Sequence, residues 1–536
     1  MGIVIRRAGG NDAPGWLELL RIAHGDGLPD RQAYDLAWIA GQLSPENGPE
    51  TWVAEVDGRL SSSLTFLQPA PVNANPIANL GRNLHRPESY ADGSATALLR
   101  RIRELCAERR QVIVARVPAS DNAQQTLYEN HGYACVGFQP YKHLLRVREG
   151  ALFYVQFARP DALVRLPLSE SLPQVNELAT AALRSLRLAP PAPVRDGGTG
   201  YPLRSELQLR EATMTDFDLW RGQAQAVNPP VEISGGHNRG FGLLRTGSDA
   251  PLRALLAQRG DEMVAGLAWL FDECDRCVRL IEAFSVDDLS LGALVHQAVK
   301  LAAERYGAVY VEVDILMTAP RLLKTAEQLG FVPVAYLPAF YVKGGFQADV
   351  VKLVKLNLVY SLENAAFTTH ARAIAEIVDL NFHDQKVGIA IINLLRALPV
   401  FEGLGDGELR KMARLFKQKL FRPGERVFGK GDSGVEAYVV MRGQIDIRLT
   451  EESAPIARVS AGQIFGELAF LDGAARGALA VASQASILLV IQRSEFYELA
   501  QREPHLGMVV MRNVAMILAD RLRRANQAVV GTGKAA

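Results

Sequence analysis

Cysteine is scarce in these 536 residues: there are four, Cys106, Cys135, Cys274 and Cys277. So few thiols exclude a disulfide scaffold. The single C-x-x-C, in FDECDRC, has no second pair to complete a four-ligand zinc site. It reads as a polar turn between two strands, and no metal site is expected. Charge of one sign is lacking too: 59 Lys and Arg face 58 Asp and Glu, a net charge of +1. That balance argues against a broadly basic nucleic-acid binder. No apolar run approaches the roughly 20 residues of a membrane helix. The opening MGIVIRRAGG lacks the apolar core of a signal peptide, and Arg6 stands where a myristoylation pattern needs Ser or Thr. The sequence therefore predicts a cytoplasmic protein with neither nucleic acid nor membrane as a partner.

What is present suits a folded chain: 48% hydrophobic and 22% charged residues, enough length for about three domains. IVIRRAGGNDAPGWLELL at the N-terminus and LQLREATMTDFDLW from Leu207 follow one pattern: a short strand, a polar turn with Asp, an amphipathic helix. This predicts an internal duplication at long period. The expected organisation is a first domain at 1–150, a helical and Pro/Gly-rich linker at 151–206, a second domain at 207–357, a helical connector at 358–393 and a third domain at 394–527. The linker contains LAPPAPVRDGGTGYP.

From Phe421 onward, short strands such as AYVVM and IDIRL alternate with glycine turns, which predicts a small β-barrel or jelly roll. A helix through MRNVAMILADRLRRA closes it. Within it, Glu467 and Arg476 stand in apolar surroundings, where an isolated charge is costly and needs a partner. The two could pair with each other, or both could serve one ligand. The marks Leu398-Pro-Val-Phe401, Pro423-Gly-Glu425, Lys430-Gly-Asp432, Tyr438, Gly443 and Phe465-Gly466-Glu467-Leu468-Ala469 with Arg476, Gly477 and Ala478 resemble the cyclic nucleotide-binding domain over about 394–526. The resemblance implies that Arg476 and the backbone N–H groups after Gly466 hold a cyclic phosphate. Glu467 would accept from the ribose 2′-OH. Members that prefer cGMP often carry Thr beside this arginine. Gly477 and Ala478 carry no hydroxyl, so cAMP is the expected ligand. No winged helix is expected after the last helix.

In the first segment, Ser94–Cys106 has the period of an amphipathic helix. A strand at Gln111–Val117 and a helix at Asp121–Tyr128 follow. The order gives an α/β unit with a helix N-terminus available to a phosphate. Over about 3–148 this resembles the GNAT acyltransferase superfamily. The resemblance implies acetyl-CoA as substrate, with Gly93, Ser94 and Ala95 as the pyrophosphate loop and Asn122 beside it. Tyr128 would be the general acid that protonates the departing thiolate. Tyr90 and Asp92 depart from the family's loop, and the strand from Ile77 to Arg86 lacks the usual Glu. His85 is the candidate base in its place, or a water chain serves instead. The segment 207–357 is also similar to GNAT domains but has Ser285-Val-Asp287-Asp288 where the phosphate loop belongs, which marks it as a degenerate, structural copy. Glu282 is its best-placed carboxylate.

The predicted fold class is therefore α+β multidomain: two GNAT-like mixed α/β domains, then a β-barrel or jelly-roll cyclic nucleotide-binding domain with a C-terminal helix. Two functions are expected. One is an N-acetyltransferase controlled by the nucleotide and acting on an acceptor amine such as a protein lysine. The other is a non-enzymatic sensor whose GNAT-like units are scaffold for a protein partner.

Overall fold

A computed structural model of the chain describes every residue except 1, 47, 68–75, 110, 146, 160–164, 167, 169, 194–198, 205, 225–230, 236–251, 344–345, 359–360, 363–364, 388 and 533–536. Two compact units result, Met1–Asn381 and Phe382–Ala536.

The first unit is built on a 14-stranded sheet. Its first half contains β1 (Ile3–Arg7), β2 (Thr51–Val56), β3 (Arg59–Phe66), β4 (Ile77–His85), β5 (Val112–Pro118), β6 (Ala134–Leu144) and β7 (Arg148–Phe157). Two-residue strands β8 (Glu170–Ser171) and β9 (Ala192–Pro193) pair separately. The second half contains β10 (Gln208–Ala212), β11 (Leu252–Arg259), β12 (Glu262–Asp272), β13 (Cys277–Ser285), β14 (Tyr310–Leu316), β15 (Val332–Lys343) and β16 (Phe346–Leu356). The spatial order is β1-β2-β3-β4-β5-β7-β6, then β15-β16-β14-β13-β12-β11-β10. Counted from its outer edge, the second half repeats the first strand for strand, so the duplication legible in the sequence is a duplication of topology. The segments read as two domains share this one sheet.

The halves join where Gly137 of β6 pairs with Ala335 of β15. A Cβ on Gly137 would overlap that of Ala335, so only glycine permits the approach. Buried charge reinforces the seam. Glu312 on β14 is 0% exposed. It accepts from Lys142 Nζ at 3.0 Å and Gln139 Nε2 at 2.8 Å, both on β6, and from Arg279 Nε on β13. His143 Nδ1 lies 2.9 Å from Asp275 Oδ2. Glu312, Lys142 and Arg279 thus have the paired, hydrogen-bonded environment that buried charge demands.

In each half the central parallel strands part. β4 and β5 pair only at Ile77–Leu80 against Val112–Ala115, although β4 runs on to His85 and β5 to Pro118. β13 and β14 pair only at Cys277–Leu280 against Tyr310–Val313. The result is a fork in each repeat, flanked by helices at Ser94–Glu108 and Asn122–Asn130 in the first and at Ser290–Glu304 and Pro320–Gln328 in the second.

The second unit has two four-stranded sheets, β17-β24-β19-β22 and β18-β23-β20-β21. Their strands are β17 (Lys417–Phe421), β18 (Arg426–Phe428), β19 (Glu436–Arg442), β20 (Gln444–Arg448), β21 (Ala457–Ser460), β22 (Ile464–Phe465), β23 (Leu479–Ala482) and β24 (Ser486–Gln492). Val440, Ile445, Ala480 and Leu488 fill the space between the sheets. A second core forms where Phe401, Met412, Phe496 and Val510 from the flanking helices meet β19 and β24. This is a β-roll followed by a long helix, Pro504–Thr532. Among the described residues, no helix is long and apolar enough to cross a membrane.

Candidate functional site

In the second unit, β22 ends at Phe465 and a short helix, Glu467–Asp472, begins at once. Gly466 makes this possible by taking φ +76, a left-handed conformation that side chains disfavour. Arg476 reaches back to this turn. Its Nη1 donates to Gly466 O at 2.7 Å and its Nη2 to Glu436 O at 2.6 Å. The guanidinium lies over the Phe428 ring at 4.3 Å, and Tyr438 stacks on Phe465 beside it. Arg476 is 4% exposed, yet its Nε is buried with no hydrogen-bond partner. Burial pulls its pKa below the ordinary value. A buried cation with an unsatisfied donor, held by neutral carbonyls, is suited to an anion.

The loop carrying Lys430-Gly-Asp432 frames this group. Arg476 N donates to Asp432 O and Gly431 N to Arg476 O, each at 2.8 Å. Glu467 is buried at the start of the short helix, Ala469 packs inward, and Leu468 is 62% exposed. Gly477 is exposed and Ala478 half-buried beside the arginine. The nucleotide residues named from the sequence thus gather around one turn, with Leu468 on the outside.

In the first repeat, four side chains form one connected run at the fork. Tyr128 is 0% exposed, and its hydroxyl accepts from Asn83 Nδ2 at 2.7 Å. Asn83 Oδ1 lies 2.7 Å from His85 Nε2, and His85 Nδ1 lies 2.9 Å from Ser62 Oγ. With Asn83 Oδ1 accepting, Nε2 carries the imidazole hydrogen and Nδ1 accepts from Ser62. Burial lowers the His85 pKa to about 4 and raises that of the Tyr128 phenol. His85 is therefore neutral, with both ring nitrogens engaged, which leaves it no free lone pair for base work. Tyr128 keeps its own proton. The sequence reading missed Asn83, although Asn83 and His85 sit two apart on one strand and so share a face.

Gly93 takes φ +83 and opens the helix Ser94–Glu108. Ser94 N–H, however, donates to Asp92 Oδ1 at 2.7 Å, so a carboxylate already holds the first donor that a pyrophosphate would use. Ser94 Oγ bonds Ser61 Oγ at 2.7 Å, and Ala95 is buried. Asn122 Nδ2 contacts Ala366 O at 3.4 Å. Gln124 Nε2 reaches Asn83 O at 3.4 Å, while its Oε1 is buried without a partner in the fork.

The second repeat is closed. Asp287 Oδ1 accepts from Leu289 N and Ser290 N at its helix start. Ile233 bridges to Ile315, Ser234 N donates to Asp314 O and Leu316 N to Glu232 O, so the chain itself fills this fork. Both oxygens of Glu282 are held by Arg221 Nη1 at 3.0 Å. The C-x-x-C falls at the turn between β12 and β13, and burial raises the Cys277 thiol to about 12, with Lys142 Nζ 3.3 Å away.

Residues 418–503 match the model of the cyclic nucleotide-binding domain. The chain is 32% identical over 135 residues to the cyclic AMP receptor protein of Thermus thermophilus, covering 25% of this chain and 61% of that protein. It is 28% identical over 131 residues to glutaminase 1 of Bradyrhizobium diazoefficiens, covering 24% and 21%. It is 31% identical over 94 residues to the cAMP-dependent protein kinase regulatory subunit of Mycosarcoma maydis, covering 17% and 18%. Among solved structures, the catabolite activator protein of Thermus thermophilus is 32% identical with a TM-score of 0.23, covering 24% of this chain and 61% of that one. A cyclic nucleotide-binding domain from Methylobacillus flagellatus is 24% identical with a TM-score of 0.25, covering 28% and 85%. The chain thus spans 61% of the first relative's length and far less of the other two proteins. The C-terminal part of the chain is a cyclic nucleotide-binding domain.

Proposed function

We propose that this cyclic nucleotide-binding chain is a cAMP-responsive N-acyltransferase, moving an acetyl group from acetyl-CoA to an amine such as a protein lysine. The observation that carries the nucleotide half is the buried, unsatisfied Nε of Arg476. A cyclic phosphodiester brings one negative charge and acceptors for it. Glu467, buried one residue after Gly466, would take the ribose hydroxyl. Gly477 and Ala478 offer no hydroxyl beside the arginine, which favours cAMP over cGMP, and two of the relatives are named for cyclic AMP.

The forked β4/β5 pair and the protonated Tyr128 within it support the acyl-transfer half. In this reading Gly93, Ser94 and Ala95 hold the pyrophosphate once the Asp92 carboxylate leaves Ser94 N–H. Tyr128 gives its proton to the thiolate, and Asn83 orients that hydroxyl. The acceptor's proton leaves through water, because His85 has no free nitrogen. The closed fork of the second repeat fits a supporting role.

The Asp92 cap favours a second reading, in which both repeats are scaffold and the chain is a cAMP sensor for a protein partner. Calorimetric titration of acetyl-CoA, with and without saturating cAMP, separates the two. Binding that changes with cAMP supports acyl transfer under nucleotide control, whereas no binding in either state leaves the sensor alone.

A further inference from the structure

Just ahead of the helix Thr369–Val387, Ala366 and Thr368 bond to the helix that carries Tyr128 and to the turn before it. Ala366 N donates to Ala119 O at 2.9 Å. Asn122 Nδ2 returns to Ala366 O at 3.4 Å. Phe367 is 8% exposed and meets Phe138 edge-on, ring centres 5.3 Å apart. Thr368 N donates to Gln125 Oε1 at 3.0 Å, and Thr368 Oγ1 donates to Glu129 Oε1 at 2.6 Å. The same hydroxyl accepts from Ala371 N at 3.2 Å and so caps the outgoing helix. Glu129 in turn accepts from Tyr154, whose ring lies 5.9 Å from that of Tyr128. Contacts at Ala119, Asn122, Gln125 and Glu129 follow the Asn122–Asn130 helix from its start to its last turn. The helix Thr369–Val387 then continues without a break past Asn381, the last residue of the first unit.

We infer that Ala365–Thr368 is a strap through which nucleotide binding controls the seating of the Tyr128 helix. The inference rests on the cAMP reading above and names the regulation of that site. Thr368 ends the strap and caps the outgoing helix with one hydroxyl. A displacement of that helix along or about its axis therefore pulls directly on Glu129 and on the amide bonded to Gln125. The contacts are hydrogen bonds and one aromatic pair rather than a deep core, so the strap can loosen without unfolding the sheet beneath it.

Hydrogen exchange on the full chain, with and without saturating cAMP, tests this without needing enzymatic activity. The expected result is at least a roughly threefold change in exchange at Ala366, Thr368 and residues 122–130 on cAMP addition. Thr368→Val should abolish that response and, because coupling is reciprocal, shift the Kd for cAMP by about threefold or more. Thr368→Ser, which keeps the hydroxyl, should behave as the parent. If calorimetry shows cAMP bound but exchange changes only within 382–536, the strap inference is wrong and the nucleotide reading stands. If calorimetry shows no cAMP binding, both fall.

Discussion

Glu312→Gln probes the seam between the repeats. The carboxylate is 0% exposed and receives Lys142 Nζ, Gln139 Nε2 and Arg279 Nε. Its pKa is held well below the usual carboxylate range by the surrounding cations, Arg279 foremost, against the opposing effect of burial. An amide of the same shape leaves Lys142 and Arg279 buried with their main counter-charge gone. Removing one partner of a buried pair costs about 3–5 kcal/mol, because the other charge is left uncompensated. Whole domains are stable by about 5–15 kcal/mol, so the loss is a large part of the total. Urea unfolding followed by tryptophan fluorescence is the assay. Glu312→Gln should lower the midpoint sharply, and Lys142→Met should do the same. The double variant should cost less than the sum by at least about 1 kcal/mol, since the two residues touch. Lys142 belongs to the first repeat and Glu312 to the second, so this coupling measures whether they stand as one unit. A loss below about 1 kcal/mol, or strict additivity, would refute the reasoning.

Acid should weaken the first unit through His85. Its folded pKa of about 4 lies below the ordinary 6.5, so the unfolded chain takes up a proton in that window and the folded one does not. Stability is unaffected by this group above pH 6.5 and falls as pH drops toward 4, by about 1.4 kcal/mol per pH unit. His85→Gln should flatten that slope in urea midpoints taken at several pH values, and an unchanged slope would remove the claim. Gly443→Ala should destabilise the second unit, because φ is +97 and a Cβ would press on Ser486 and Ala485 O. A cost of about 2 kcal/mol or more is expected from the strained backbone and the clash together, read as a lower melting temperature. If acyl transfer is found, Tyr128→Phe should lower kcat by roughly 100-fold or more, and unchanged turnover would clear Tyr128 of the acid role.

The nucleotide cassette was legible in the sequence because its parts are near neighbours. Gly466, Glu467 and Arg476 lie within ten residues of one another, and each residue type has a local reason. The duplication was legible for the same reason: strand, Asp turn and helix repeat as short-range pattern. The seam was not. Lys142 and His143 look like ordinary polar residues of a strand, and nothing nearby marks a partner such as Glu312, 170 positions away. The Tyr128 connection shows both cases. Asn83 and His85 share a strand face and could have been paired by counting, whereas Tyr128 arrives from 45 residues on through tertiary packing. The Glu232–Ser234 insertion into the second fork has no periodic signal, since it forms an isolated bridge and not a strand.

The most direct test is to titrate cAMP into the full chain by calorimetry, beside Arg476→Gln. The account predicts saturable binding to the parent chain and a Kd at least roughly 100-fold weaker for the variant. This corresponds to losing charge-assisted hydrogen bonds worth about 3 kcal/mol. Circular dichroism should show the variant folded. Equal affinity in both, or no heat with a folded parent chain, would contradict the assignment of Arg476 as the partner of a cyclic phosphate.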